Sequence, residues 1–233
     1  ALDLSVLATG TYDFTYTQNM TTACAEESTT VRIIILTDPN AGNPQNQTFC
    51  ENDLISNSPF DLFSALDGSQ DNNSGTWTDA SNTIISNLLD LTTLTLAGSP
   101  YSFNYSIDNG TCVDTTIITI MIEKAPESGL ANIPVVFCLT DITSNQTYNL
   151  FDLLTDEDQT GIWSDDDATG ALSGNMVTLE GLEQGTYNFT YDVNAIGTCD
   201  DVNITVAIII NDSPAPTVAI TNQEFCDSAT VAN

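Results

Sequence analysis

Histidine is absent from the 233 residues, and the only basic side chains are Arg32 and Lys124, set against 32 acidic ones. Without an imidazole there is no Ser-His-Asp or Cys-His arrangement and no histidine ligand for zinc. The formal net charge of −30 excludes nucleic acid, whose phosphates the chain would repel, and an anionic membrane surface for the same reason. No apolar run reaches the ~20 residues that cross a bilayer as a helix, so direct membrane insertion is not expected. There is no C-x2-C pair, phosphate loop or dinucleotide fingerprint. Neighbouring carboxylates do occur, as at Asp165-Asp166-Asp167 and Asp200-Asp201, but nothing sets them apart from solvated loops. The expectation is a protein that is not an enzyme.

Only 15% of the residues are charged, so the surface must be built largely of Thr, Ser, Asn and Asp. That composition suits salty, cation-containing water, where at ~1 M salt the Debye length of ~3 Å mutes self-repulsion. Simple solubility and a specific role for cations both account for the acidity.

What is present is periodic. Phe49-Cys50, Phe137-Cys138 and Phe225-Cys226 lie 88 residues apart, and Cys24, Cys112 and Cys199 lie 88 and 87 apart. Phe60-Asp61-Leu62-Phe63 returns as Tyr148-Asn149-Leu150-Phe151, and Gly75-Thr76-Trp77-Thr78-Asp79 as Gly161-Ile162-Trp163-Ser164-Asp165. An aromatic-x-Phe-x-Tyr pattern occurs at Tyr12–Tyr16, Tyr101–Tyr105 and Tyr187–Tyr191, each followed by one of the second set of cysteines. Repetition at a fixed period marks a tandem array. The expected division is the C-terminal half of a preceding repeat over 1–48, complete repeats over 49–136 and 137–224, and the first strand of a following repeat over 225–233. Linkers are expected around Lys124–Val136 and Asn211–Glu224.

The apolar runs are short, β-branched or aromatic, and bounded by Gly, Asn, Asp and Pro, which predicts strands at Val31–Leu36, Thr115–Ile122 and Val202–Ile210. Tyr101–Tyr105 alternates aromatic and polar residues, the period of a half-buried strand. Asn109-Gly110 reads as a tight turn. Leu62–Leu66 and Leu150–Leu154 are long enough for one helical turn. About seven strands per repeat predict an all-β chain of tandem immunoglobulin-like β-sandwiches of about 88 residues, each with one disulfide. Trp77 and Trp163, with the Phe and both tyrosines of the aromatic strand (Tyr101, Phe103 and Tyr105; Tyr187, Phe189 and Tyr191), are expected in the core. An exposed carbohydrate platform at either Trp is the alternative.

Two disulfide patterns fit the lattice. One lies within repeats, Cys50–Cys112 and Cys138–Cys199; the other bridges junctions, Cys24–Cys50, Cys112–Cys138 and Cys199–Cys226. The first is preferred here. In an antiparallel sandwich the first and last strands start at the same end, whereas Cys112 and Cys138 are separated by a whole strand, and a disulfide needs Cα atoms within ~7 Å. Cys24 and Cys226 would then pair outside this stretch of chain. No other cofactor is expected, apart from a calcium candidate at Asp156, Asp158 and Asp167. Their spacing partly follows the calcium-loop pattern, with Asp in place of Glu at the twelfth position.

The order Phe-Cys, Phe-Asp-Leu-Phe, Gly-Thr-Trp, Tyr-x-Phe-x-Tyr, Cys and a Thr/Ile/Val strand resembles the repeats of giant Bacteroidota cell-surface adhesins, the gliding-motility adhesins of the SprB type among them. The resemblance covers the whole chain. It implies type IX secretion, attachment at the outer membrane, and a long extracellular filament serving cell adhesion and gliding motility. The partners it implies are neighbouring repeats and a surface or glycan ligand at a distant tip. It also implies O-glycosylation at Asp-Thr-Thr and Asp-Ser-Ala sites, which makes Thr115 and Ser228 candidates. A polymerised surface filament or S-layer subunit, and a carbohydrate-binding module array of a secreted enzyme, are the competing readings.

Overall fold

The computed structural model describes residues 3–18 and 26–212. Strands and short 3-10 turns make up its regular structure, and among the described residues no helix is long and apolar enough to cross a membrane. Two compact units emerge: the first runs to Ala125 and takes in Ile196–Cys199, and the second begins at Pro126. The division therefore falls before the expected boundary at Phe137. Residues 126–136 act as structure and not as a linker, since Leu130–Ala131 and Val135–Cys138 are strands of the second unit.

The first unit opens with an antiparallel hairpin of β1 (Gly10–Gln18) and β2 (Glu27–Ile35), in which Tyr12 faces Ile33. Asp13 and Arg32 face each other across it and form a bidentate ion pair, Nε to Oδ1 at 2.8 Å. Next come β3 (Gln47–Cys50), β4 (Phe60–Asp61), β5 (Thr76–Asp79), β6 (Ile84–Ile85), β7 (Leu88–Leu89), β8 (Tyr101–Asp108) and β9 (Val113–Glu123). One sheet has the order β3-β9-β8-β5-β6, and β4 pairs with β7 in a second. Strands β8 and β9 alternate buried and exposed residues, so that Phe103, Tyr105, Ile107, Ile118, Ile120 and Ile122 face inward. Leu62, Leu91 and Trp77 meet them.

The second unit repeats this plan. Its strands are β10 (Leu130–Ala131), β11 (Val135–Cys138), β12 (Thr147–Asn149), β13 (Leu154–Thr155), β14 (Ile162–Asp165), β15 (Leu172–Ser173), β16 (Met176–Thr178), β17 (Gly185–Val193) and β18 (Val202–Asn211). The main sheet has the order β11-β18-β17-β14, against β12-β16-β15, with β10 paired to β13. Leu150, Val177, Leu179, Phe189, Tyr191 and Ile208 are fully buried at its centre.

In both units the first strand of the main sheet runs parallel to the last: β3 beside β9 and β11 beside β18. Both expected helical turns are present as 3-10 turns, Leu62–Ala65 and Leu150–Leu153. Asp61 and Asn149 cap them by accepting from the N–H of Phe63 and Phe151. This explains the repeated polar-Leu-Phe motif. The polar residue ends the turn's unpaired donors, the Leu enters the core, and the Phe packs on the Trp. The fold is an all-β pair of immunoglobulin-like sandwiches, as the strand patterning requires.

Candidate functional site

The residues that make each sandwich specific form an aromatic triad that recurs almost unchanged. Phe63, Trp77 and Tyr105 have ring centroids 4.9–5.6 Å apart, and Phe151, Trp163 and Tyr191 lie 4.8–5.7 Å apart. These spacings are within the favourable range for offset and edge-on pairs. The Tyr105 hydroxyl donates to the carbonyl of Asn72 at 2.7 Å and accepts from the N–H of Gly75 at 3.0 Å. Tyr191 does the same with Asp158 and Gly161, at 2.6 and 2.9 Å. A Cβ on Gly75 would lie 2.4 Å from the Ser106 carbonyl and 2.7 Å from the Tyr105 ring, and one on Gly161 would meet Asp192 and Tyr191 equally closely. The glycine of the Gly-x-Trp motif is thus required by close approach of the tyrosine on the strand that pairs with the Trp strand, β8 beside β5 and β17 beside β14.

Trp77, Trp163, Phe103 and Phe189 are buried as expected. Tyr101 and Tyr187 are only half-buried, and of the two tyrosines of each aromatic strand it is the second, Tyr105 and Tyr191, that is fully buried. The first tyrosine sits at the strand's start, where its hydroxyl turns back to the chain: Tyr101 donates to the Thr95 carbonyl at 3.1 Å, and Tyr187 to that of Glu183 at 2.9 Å. Tyr12 donates likewise to Ala8. This is the tyrosine-corner arrangement of immunoglobulin-like sandwiches. Both Trp residues have an indole N–H with no protein hydrogen-bond partner, and neither presents its face to solvent as a sugar platform would.

The disulfide corrects the expected pairing. Cys50 is bonded to Cys199, with Cα atoms 4.9 Å apart, while Cys112 and Cys138 remain thiols. Neither Cys50–Cys112 nor Cys138–Cys199 forms. The premise that first and last strands start together holds, because β3 is parallel to β9. Cys50, however, is the last residue of β3 and lies opposite Glu123, at the far end of β9 from Cys112. The eleven residues of β9, Val113–Glu123, place ~36 Å between the two cysteines.

Cys199 reaches Cys50 from the loop Ile196–Cys199, which belongs to the first unit. Thr198 donates to the Glu123 carboxylate from its N–H at 2.8 Å and its hydroxyl at 3.1 Å. Gly197 lies so close that a Cβ there would strike the same carboxylate, and its φ of +85° favours glycine. The Cys199 sulfur lies 3.5 Å from the Lys124 carbonyl oxygen. Glu123 was not legible as a site residue. The signal for the loop was the shared tripeptide Gly110-Thr111-Cys112 and Gly197-Thr198-Cys199.

The calcium candidate is not assembled. Asp156 and Asp158 precede β14 while Asp167 follows it, so the Trp163 strand stands between them. Asp158 accepts from the Glu127 N–H and Asp167 from the Asn188 N–H. Among the described residues no group of three or more acidic, Cys or His side chains is placed to hold a metal ion. Thr115 is exposed on β9. Ser228, Cys24 and Cys226 lie outside the described residues.

No protein-family model matches the chain, and no curated protein is similar to it in sequence. Among solved structures it is similar to an I-band fragment of titin, domains I67–I69, at 10% identity and a TM-score of 0.42, covering 87% of this chain and 75% of that one. It is also similar to the EC1–3 fragment of mouse protocadherin-24, at 10% identity and a TM-score of 0.31, covering 91% and 82%. A third likeness is to a SusE-like surface located polysaccharide binding protein from Bacteroides thetaiotaomicron, at 11% identity and a TM-score of 0.24, covering 74% and 34%. At these scores the likenesses carry no functional inference.

Proposed function

We propose that this chain is a shaft segment of a long extracellular adhesin fibre on a Bacteroidota cell, exported by type IX secretion and held at the outer membrane. There it serves surface attachment and gliding motility and performs no catalysis. The observation that carries the reading is the recurrence of one sandwich plan at an 88-residue spacing, with a disulfide that reaches from one sequence repeat into the next. A disulfide favours an oxidising, exported setting. In such an array stability is spread over repeats and their junctions, and strand hydrogen bonds with covalent staples resist pulling. The acidic surface keeps neighbouring fibres apart.

The test is the size and appearance of the intact protein. Dozens of repeats in one polypeptide, seen by electron microscopy as a filament lengthening by ~35–45 Å per repeat, support the shaft. A polypeptide of two or three repeats that forms filaments only by assembly would replace this reading with that of a polymerised subunit. Burial of both Trp residues removes the feature that favoured a carbohydrate-binding array.

A further inference from the structure

Cys112 and Cys138 each occupy the position of one half of the bonded pair. Cys138 ends β11 opposite Asn211, as Cys50 ends β3 opposite Glu123. Cys112 closes the loop Asn109-Gly110-Thr111-Cys112, as Cys199 closes Ile196-Gly197-Thr198-Cys199, and the two glycines share φ values of +87° and +85°.

A second relationship is independent of the cysteines. The registers Tyr12↔Ile33, Tyr101↔Ile120 and Tyr187↔Ile208 align the three hairpins. Leu36, Glu123 and Asn211 are then equivalent, as are Thr37 and Lys124. The loop carrying Cys199 rests on Glu123 and Lys124. The loop carrying Cys112 rests on the equivalent place, since the Asn109 side-chain amide donates to the Thr37 carbonyl at 3.0 Å. Cys112 is therefore already held beside the end of β2, where a strand equivalent to β3 would bring a Phe-Cys terminus.

We infer that Cys112 and Cys138 each form a disulfide with a further copy of this repeat in the same polypeptide. Cys112 joins the strand-end Phe-Cys cysteine of a repeat on its N-terminal side, and Cys138 joins the loop cysteine of a repeat on its C-terminal side. Each bond forms by thiolate attack on an oxidised protein disulfide and resolution by the second thiolate. The two thiols give up two protons and two electrons, and the donor disulfide leaves as a dithiol.

The mechanical consequence follows from overlap, because the loop closed by Cys50–Cys199 contains both Cys112 and Cys138. In a fully stapled array the covalent path from Cys50 crosses to Cys199 and then follows 27 residues to Cys226, out of the 176 residues between Cys50 and Cys226. At ~3.6 Å per residue the 27 residues reach about 97 Å, roughly a sixth of the reach of the unstapled chain. The inference does not depend on the adhesin reading, since a polymerised filament with the same repeats would carry the same bonds.

The experiment is thiol alkylation of the intact native protein without reduction, followed by digestion and mass mapping. The expected result is that Cys112 and Cys138 escape alkylation. Cys112 is recovered bonded to a Phe-Cys peptide and Cys138 to a peptide from a loop between two long strands, and migration on a gel is unchanged in oligomeric size by reductant. Alkylation of either cysteine, a Cys112–Cys138 or Cys138–Cys138 bond, or a ladder collapsed by dithiothreitol would each overturn it.

Discussion

Cys50 and Cys199 are 149 residues apart in sequence and bonded to each other, with their Cα atoms 4.9 Å apart. The bond joins the end of a short first strand to a hairpin loop, and the loop is seated on Glu123 before any sulfur is considered. A staple placed this way constrains more than one sandwich's worth of chain.

Replacing Cys50 or Cys199 by Ser is expected to destabilise the transition that reports the first unit by up to about 5 kcal/mol, the chain-entropy value for a loop of this length. The double variant should be no worse than either single one. Guanidinium unfolding of the three variants measures this. Mass mapping of the unreduced 233-residue chain that returned Cys50–Cys112 would refute the pairing itself.

Gly75→Ala and Gly161→Ala should each cost about 1–3 kcal/mol, because the added methyl has no room beside a tyrosine ring and a carbonyl. Each is expected to shift only the transition of its own unit. Gly68→Ala makes a control for the missing glycine without the clash, since a Cβ there meets nothing within 4 Å, although its φ of +80° adds backbone strain.

Tyr105→Phe and Tyr191→Phe keep the ring and delete a buried hydroxyl that serves one donor and one acceptor. Loss of about 1–3 kcal/mol is expected. Tyr101→Phe and Tyr187→Phe, at the wet rim, should cost about 1 kcal/mol or less. Equal losses at the two positions, read by urea unfolding, would contradict the assignment of the second tyrosine to the core.

Asp13, Asp67 and Asp90 are among the aspartates held below the usual aspartate range. Asp13 is lowered by Arg32, Asp67 by hydrogen bonds from Ser69 and Asn43, and Asp90 by hydrogen bonds from Thr92 and Ser58. Because the folded value is the lower one, each favours the folded state above the unfolded value of ~3.9. That contribution disappears as pH falls through the folded value. In about 0.5 M salt the thermal midpoint should hold between pH 7 and 5 and fall between pH 4 and 2. At pH 7 it should rise with salt, as the Debye length shortens from ~30 Å at 0.01 M to ~3 Å at 1 M. A midpoint that climbed below pH 4 would mean that relief of the −30 charge outweighs the lost hydrogen bonds.

The sequence by itself determined the repeat, the strands and most of the core. Strand identity is written in local alternation, as in Tyr101–Tyr105 and Thr115–Ile122, and the capped turn in Asp61-Leu62-Phe63 needs only its neighbours. The tertiary structure alone decided which cysteines meet, which tyrosine is buried and whether three aspartates form a site. Each of these depends on where along a strand a residue falls relative to a partner from elsewhere in the chain. Cys50 stands at the end of β3, not its start, so the length of β9 separates it from Cys112 and the next hairpin loop takes its place. Asp158 and Asp167 are nine residues apart in sequence, yet an extended strand built around Trp163 keeps them at opposite ends.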